Sequence, residues 1–130
     1  MRISPELREV MVEHLAACLP EEGCGLLAGR DGHCSMVFPV KNELHSPTTF
    51  RMDPQEQIWA FLQIEERGLE LTAIFHSHPC GPQVPSSTDL AEFAYPGVIM
   101  MISVPMNGEW IFRAFKIIDR TYSEIALIWE

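Results

Sequence analysis

The segment LELTAIFHSHPCGPQVPSSTDL, residues 69–90, limits the fold more than any other part of the chain. LELTAIF is a short apolar run that reads as a strand, and Pro79 ends it. The Pro/Gly-rich CGPQVP then turns the chain back, and Ser86 to Ala94 opens a short helix. A strand end and a helix start are thereby brought side by side, with His76, His78, Ser86 and Asp89 between them. His76 and His78 are two apart on a strand, so both imidazoles lie on one face and can reach one ion.

The remaining elements follow from spacing and punctuation. Ser4-Pro5-Glu6 supplies an N-cap, a proline at the first helical position and an acid in the first turn. Leu7, Val10, Met11, Leu15 and Cys18 continue at helical spacing, which predicts an amphipathic helix over 5–19 ended by Pro20. GCGLLAGR and CSMVFPV flank Asp31-Gly32, a hairpin signal, and read as two strands. Residues 41–52 have no period and read as a loop, after which Asp53-Pro54-Gln55-Glu56 starts a helix over 54–67 that stops at Gly68. VIMMISV, WIFRAFKII and YSEIALIWE read as three more strands, the first two joined across Asn107-Gly108. The order αββαβαβββ predicts an α/β (α+β) fold, a mixed and mainly antiparallel sheet with helices packed on it.

At 130 residues the chain is expected to form one domain, residues 1–130, around a single core. Its 47% hydrophobic and 21% charged content argues against disorder. The N-terminus is charged through its middle and lacks the apolar centre of a signal peptide, and VIMMISV is too short to span a bilayer. The expectation is a soluble, cytoplasmic protein. Cys18, Cys24, Cys34 and Cys80 form no CxxC pair and are expected to be free thiols. The 18 acidic residues against 9 basic ones, the net charge of −9 and the lack of a basic cluster argue against nucleic-acid binding.

Two imidazole nitrogens and the Asp89 carboxylate would leave a fourth tetrahedral position for water, the composition of a catalytic zinc site. Ser86-x-x-Asp89 is equally a helix capping box, so the same residues fit a purely structural role. A metal-activated water also needs a proton acceptor. Glu21 and Glu22, in PEEGCGLLAG, stand just before a strand whose glycines permit close backbone approach, although two glutamates after a helix are ordinarily solvated. Spacing alone does not bring either to the histidines. Cys80 follows Pro79 and is a soft donor, but a fourth protein ligand would close the site to water, so it is expected to be a bystander. Cys24, His14, His33 and His45 have no comparable setting and are expected to pack or lie at the surface.

His76-x-His78-Pro79, six residues, then Ser86-x-x-Asp89, preceded by Glu22 in Pro20-x-Glu22-x-Cys24-Gly25-Leu26-Leu27, resembles the JAMM motif of the MPN-plus metalloproteases. The resemblance covers nearly the whole chain and implies their fold, which has a cytidine-deaminase-like architecture. It implies that His76, His78 and Asp89 bind one zinc ion per chain with a bound water. Glu22 would then act as general base and afterwards as general acid to the departing amine, with Ser86 helping to hold the oxyanion. Between Asp89 and the next strand there is only LAEFAYPG, so the chain is similar to the short prokaryotic members. Those act on small ubiquitin-like or sulfur-carrier proteins ending in Gly-Gly, and the family often self-associates, which admits a homodimer. The alternative within this fold is a non-catalytic scaffold module, expected to lack one of the three ligands. Zinc deamination would need H-x-E with P-C-x-x-C, and Pro79-Cys80 is followed by Gly-Pro.

Overall fold

The computed structural model describes residues 1–130 as β1 (Arg2–Ile3), α1 (Pro5–Cys18), β2 (Cys24–Arg30), β3 (His33–Val40), α2 (Pro54–Glu66), β4 (Glu70–Ser77), α3 (Ser87–Glu92), β5 (Ile99–Met106), β6 (Glu109–Ile118), β7 (Thr121–Ile125) and β8 (Ile128–Trp129). All three helices fall within the predicted ranges. Asp53 caps α2 by accepting from the Glu56 N–H at 3.0 Å. Ser4 occupies the N-cap position of α1 without capping it, because its hydroxyl lies against His33 Nε2 instead. Asp31-Gly32 and Asn107-Gly108 both adopt the paired left-handed backbone of a tight hairpin, with φ of 52°, 75°, 53° and 80°.

The strands form one sheet in the order β7-β6-β5-β4-β2-β3-β1-β8. β2 pairs antiparallel with β3 and β4, as β6 does with β5 and β7, whereas β4–β5, β1–β3 and β1–β8 are parallel. The sheet is mixed and mainly antiparallel, as predicted. Two features differ from the sequence expectation. Arg2–Ile3 forms a strand, and YSEIALIWE is divided, with β7 turning back on β6 while β8 crosses to the far edge beside β1. Two-residue strands are too short to display a period of two, and β8 pairs with β1 alone, which itself lies beside β3. The turn between β6 and β7 is Asp119-Arg120, both left-handed with no glycine to announce it.

β4 lies near the middle of the sheet and is covered on both faces, which explains why LELTAIF does not alternate with polar residues. Ala73 and Phe75 join Leu7, Met11 and Leu15 of α1 in one core layer. Ile74 faces the other way, into the layer formed with Ala60 and Ile64 of α2 and Leu26 and Phe38 of the sheet. Burying a ring such as Phe75 contributes about 1.5–3 kcal/mol, and its placement depends on Gly25, where a Cβ would run into that ring. No helix is long and apolar enough to cross a membrane.

Candidate metal centre

His76 follows Ile74 by two on β4 and so points to the α2 side of the sheet, where it is fully buried. His78 lies just past the strand, held by its N–H to the Ser103 carbonyl at 2.9 Å. The Nε2 atoms of the two rings are 3.1 Å apart. Asp89 Oδ2 lies 3.1 Å from that of His76 and 3.0 Å from that of His78. Ligands held about 2.0–2.1 Å from a tetrahedral ion would stand roughly 3.3 Å from one another, so the three donors already have close to the required spacing.

Local structure aims each donor. The His78 Nδ1–H donates to the Pro82 carbonyl at 2.7 Å, which turns Nε2 inward, where it donates to Asp89 when protonated and would offer its lone pair to an ion when not. The His76 ring stacks on Phe50, centroids 4.5 Å apart and planes at 27°, and its Nδ1 has no protein partner. Asp89 sits in the first turn of α3 within a capping box. Its Oδ2 accepts the Ser86 N–H at 2.9 Å, and Ser86 Oγ accepts the Asp89 N–H at 3.0 Å. The two readings of Ser-x-x-Asp therefore coexist, because one carboxylate oxygen both caps the helix and faces the imidazoles.

Glu22 lies beside these donors. It is 3% exposed, its Oε1 has no partner, and it forms with His76 and His78 a group whose ligand atoms lie within 4.8 Å of one another. The β2–β4 register sets this approach by pairing Cys24 with His76. Either carboxylate could be the third ligand by donor type, and electrostatics separates them. Burial pushes the Glu22 carboxyl up to about 7, the His78 charge opposing and the Asp89 charge adding to the rise. Burial acts on Asp89 in the same direction, but bonds from both imidazoles and from the Ser86 N–H, with the His76 charge, hold it well below the usual carboxylate range. Asp89 is the persistent anion in contact with both nitrogens, while Glu22 can exchange a proton near neutrality. The histidines diverge as well. Burial lowers His76, whereas for His78 it is overcome by the Asp89 bond, the Pro82 carbonyl and neighbouring charge, which raise it.

All five residues singled out in the sequence thus lie around one point. Cys80 is exposed and outside the converging donors. His14 bonds the Cys24 carbonyl, His33 faces Glu130, His45 meets Glu21, and the Cys24 thiol donates to the Val40 carbonyl. Asn42, Phe50 and Ser77 were not anticipated, and all three bear on the site. Asn42 and Phe50 lie in a loop without periodicity, while Ser77 was visible only as the residue between two histidines. A cavity of about 220 Å³ opens beside His76 and Asp89, bounded by Phe50, Met52, Gln57 and Tyr95.

The chain is similar to several known proteins in sequence and fold. The desampylase of Pyrococcus furiosus is 34% identical over 110 residues, covering 84% of this chain and 76% of that protein. The CysO-cysteine peptidase of Mycobacterium tuberculosis is 30% identical over 125 residues, covering 94% and 86%. A solution structure from Desulfitobacterium hafniense superposes with a TM-score of 0.89 at 31% identity, over 99% of this chain and 92% of that one. A JAB1/MPN domain protein from Archaeoglobus fulgidus shares the fold, with a TM-score of 0.65 at 21% identity over 98% and 97%. The model describing prokaryotic homologs of the JAB domain matches residues 4–118, a span that contains every element and side chain of the site, and the chain belongs to that family.

Proposed function

We propose that this chain is a zinc-dependent peptidase or isopeptidase that hydrolyses the amide bond at the C-terminal Gly-Gly of a small ubiquitin-like or sulfur-carrier protein. The observation that carries it is the convergence of His76, His78 and Asp89 at mutual distances of 3.0–3.1 Å, with the unpartnered Glu22 carboxyl beside them. Two imidazoles and one carboxylate suit zinc and leave room for solvent. When bound, the ion would supply Lewis acidity and lower the pKa of water to about 7.

The chain's own residues do the rest. Glu22, buried beside the donors with its Oε1 free of other partners, takes a proton from the attacking water and returns it to the departing amine. Ser86 Oγ accepts the Asp89 N–H, and its own proton remains available to a developing oxyanion. Capping and catalysis are therefore compatible at this serine. Relatives named desampylase and CysO-cysteine peptidase support the substrate class. A Gly-Gly tail, without Cβ atoms, can lie extended close to a buried site. The scaffold alternative predicts a missing ligand, and all three are present.

The test is cleavage by zinc-loaded protein of Gly-Gly carriers joined to a lysine side chain, a short extension or a cysteine, read by intact mass. Parent protein is expected to release at least one of them, and Glu22→Gln to bind zinc yet cleave at least about 100-fold more slowly. Cleavage by E22Q at the parental rate would remove the mechanistic basis of the proposal.

A further inference from the structure

We propose that Asn42 is a positioning residue: its buried side-chain amide holds the Glu22 backbone and the 43–52 loop in one register, bringing the Glu22 carboxyl and the Phe50 ring together at His76. This inference rests on the role of Glu22 in the proposed function.

Asn42 lies just past β3, is 5% exposed, and forms an isolated antiparallel bridge with Met52 that closes the loop. Its Nδ2 donates to the Glu22 carbonyl at 3.1 Å and to the Thr49 carbonyl at 3.0 Å. Its Oδ1 accepts the N–H groups of Leu44 and Arg51, both at 3.1 Å. Two donors and one two-fold acceptor are thus fully used, in a pattern that aspartate lacks the N–H groups to reproduce. The same loop takes the other side of the Glu22 peptide, because the Glu22 N–H donates to the Ser46 carbonyl at 2.8 Å.

Glu22 is held through its main chain, and its Oε1 has no side-chain partner to orient it. The backbone must therefore aim the carboxyl. The neighbour of Thr49 is Phe50, whose ring stacks on His76, and residues 49–52 line the cavity beside the site. One buried amide consequently couples the placement of the proton acceptor to the wall of the cleft. A displacement of about 1 Å in a reacting group can cost about 100-fold in rate, which is the scale on which such a clamp matters.

The test compares parent, Asn42→Ala, Glu22→Gln and the double variant, each loaded with zinc. Asn42→Ala is expected to retain one zinc per chain, to lose kcat by roughly 30-fold with KM changed less than about threefold, and to exchange the Glu22 and Arg51 amide protons faster than the parent. In the E22Q background it should cause no further fall in the residual rate, because both changes act through one carboxyl. Parental kcat and parental amide protection in Asn42→Ala, with E22Q inactive, would overturn the role of Asn42 and leave the proposed function standing. Parental activity in E22Q would instead overturn the proposed function. Should Asn42→Ala fail to fold, the side-chain amide protons of Asn42 in parent protein decide: slow exchange is expected, and exchange as fast as an exposed asparagine would overturn the inference.

Discussion

Ser77 and Gly23 are joined twice: the Gly23 N–H donates to Ser77 Oγ at 2.8 Å, and the Ser77 N–H donates to the Gly23 carbonyl at 2.9 Å. Ser77 lies between the two histidines and Gly23 follows Glu22, so this clamp joins the strand that carries His76 to the segment that carries Glu22. Ser77 points to the sheet face opposite His76 and is fully buried, which places the clamp beneath the site and away from the reacting groups.

Ser77→Ala is expected to leave the Gly23 N–H buried without its partner and to destabilise the protein by about 1–3 kcal/mol, measured by urea titration. Because Glu22 is attached to the released peptide, cleavage should fall by more than zinc affinity does. Unchanged stability would mean that water replaces the hydroxyl.

The raised pKa of Glu22 has a definite consequence for metal-free protein. The folded state holds the proton up to about 7 whereas the unfolded chain releases it near 4.5, so folding is favoured below the lower value and loses that contribution as pH rises through 7. The magnitude is on the order of 3 kcal/mol between pH 4 and pH 8. Glu22→Gln cannot ionise, and its stability relative to the parent should therefore increase across this interval in paired urea titrations at pH 5 and pH 8. A difference that stays constant, or runs the other way, would show that the Glu22 carboxyl is ionised in the folded protein throughout.

The three helices and most of the sheet were legible because their signals are local: a proline at the first turn, apolar residues at helical spacing, a two-residue turn. The order of strands was not, since the pairing of β1 with β8 joins the two ends of the chain and neither strand has a pattern of its own. In the site, His76, His78 and Asp89 could be grouped because one strand, one turn and one helix start carry them within fourteen residues. Glu22 is 54 residues from His76, and what unites them is the β2–β4 register, which no spacing states. Asn42 was invisible for a related reason: it satisfies backbone groups of a loop, and irregular backbone leaves no periodic trace.

Thiol reactivity should separate the four cysteines. Cys80 is exposed, while Cys24 and Cys34 are fully buried, and burial raises both thiols, Cys34 to about 11. Cys18, half-buried, is raised by burial and by the Glu21 charge. Alkylation of native protein at pH 8, followed by peptide mapping, should mark Cys80 first and Cys24 and Cys34 only after unfolding. Early labelling of Cys34 would indicate that the β1–β3 edge opens in solution.

Two substitutions can divide the capping role of the Ser86–Asp89 pair from its chemistry. Asp89→Asn keeps an oxygen able to accept the Ser86 N–H, so α3 should remain, but it removes the negative charge that both imidazoles face. Zinc affinity is expected to fall at least about 100-fold, since a neutral amide is a far weaker ligand than a carboxylate. Ser86→Ala removes the hydroxyl that accepts the Asp89 N–H and should cost about 1 kcal/mol of stability as a lost cap. It leaves the three metal donors in place, so zinc should still bind, while the loss of the hydroxyl proton should slow cleavage by on the order of 100-fold. Calorimetric zinc titration and cleavage rates for the pair would show Asp89 acting on binding and Ser86 on turnover. If Asp89→Asn bound zinc as tightly as the parent, Asp89 would be only a cap, and Glu22 would be the remaining carboxylate able to complete the donor set.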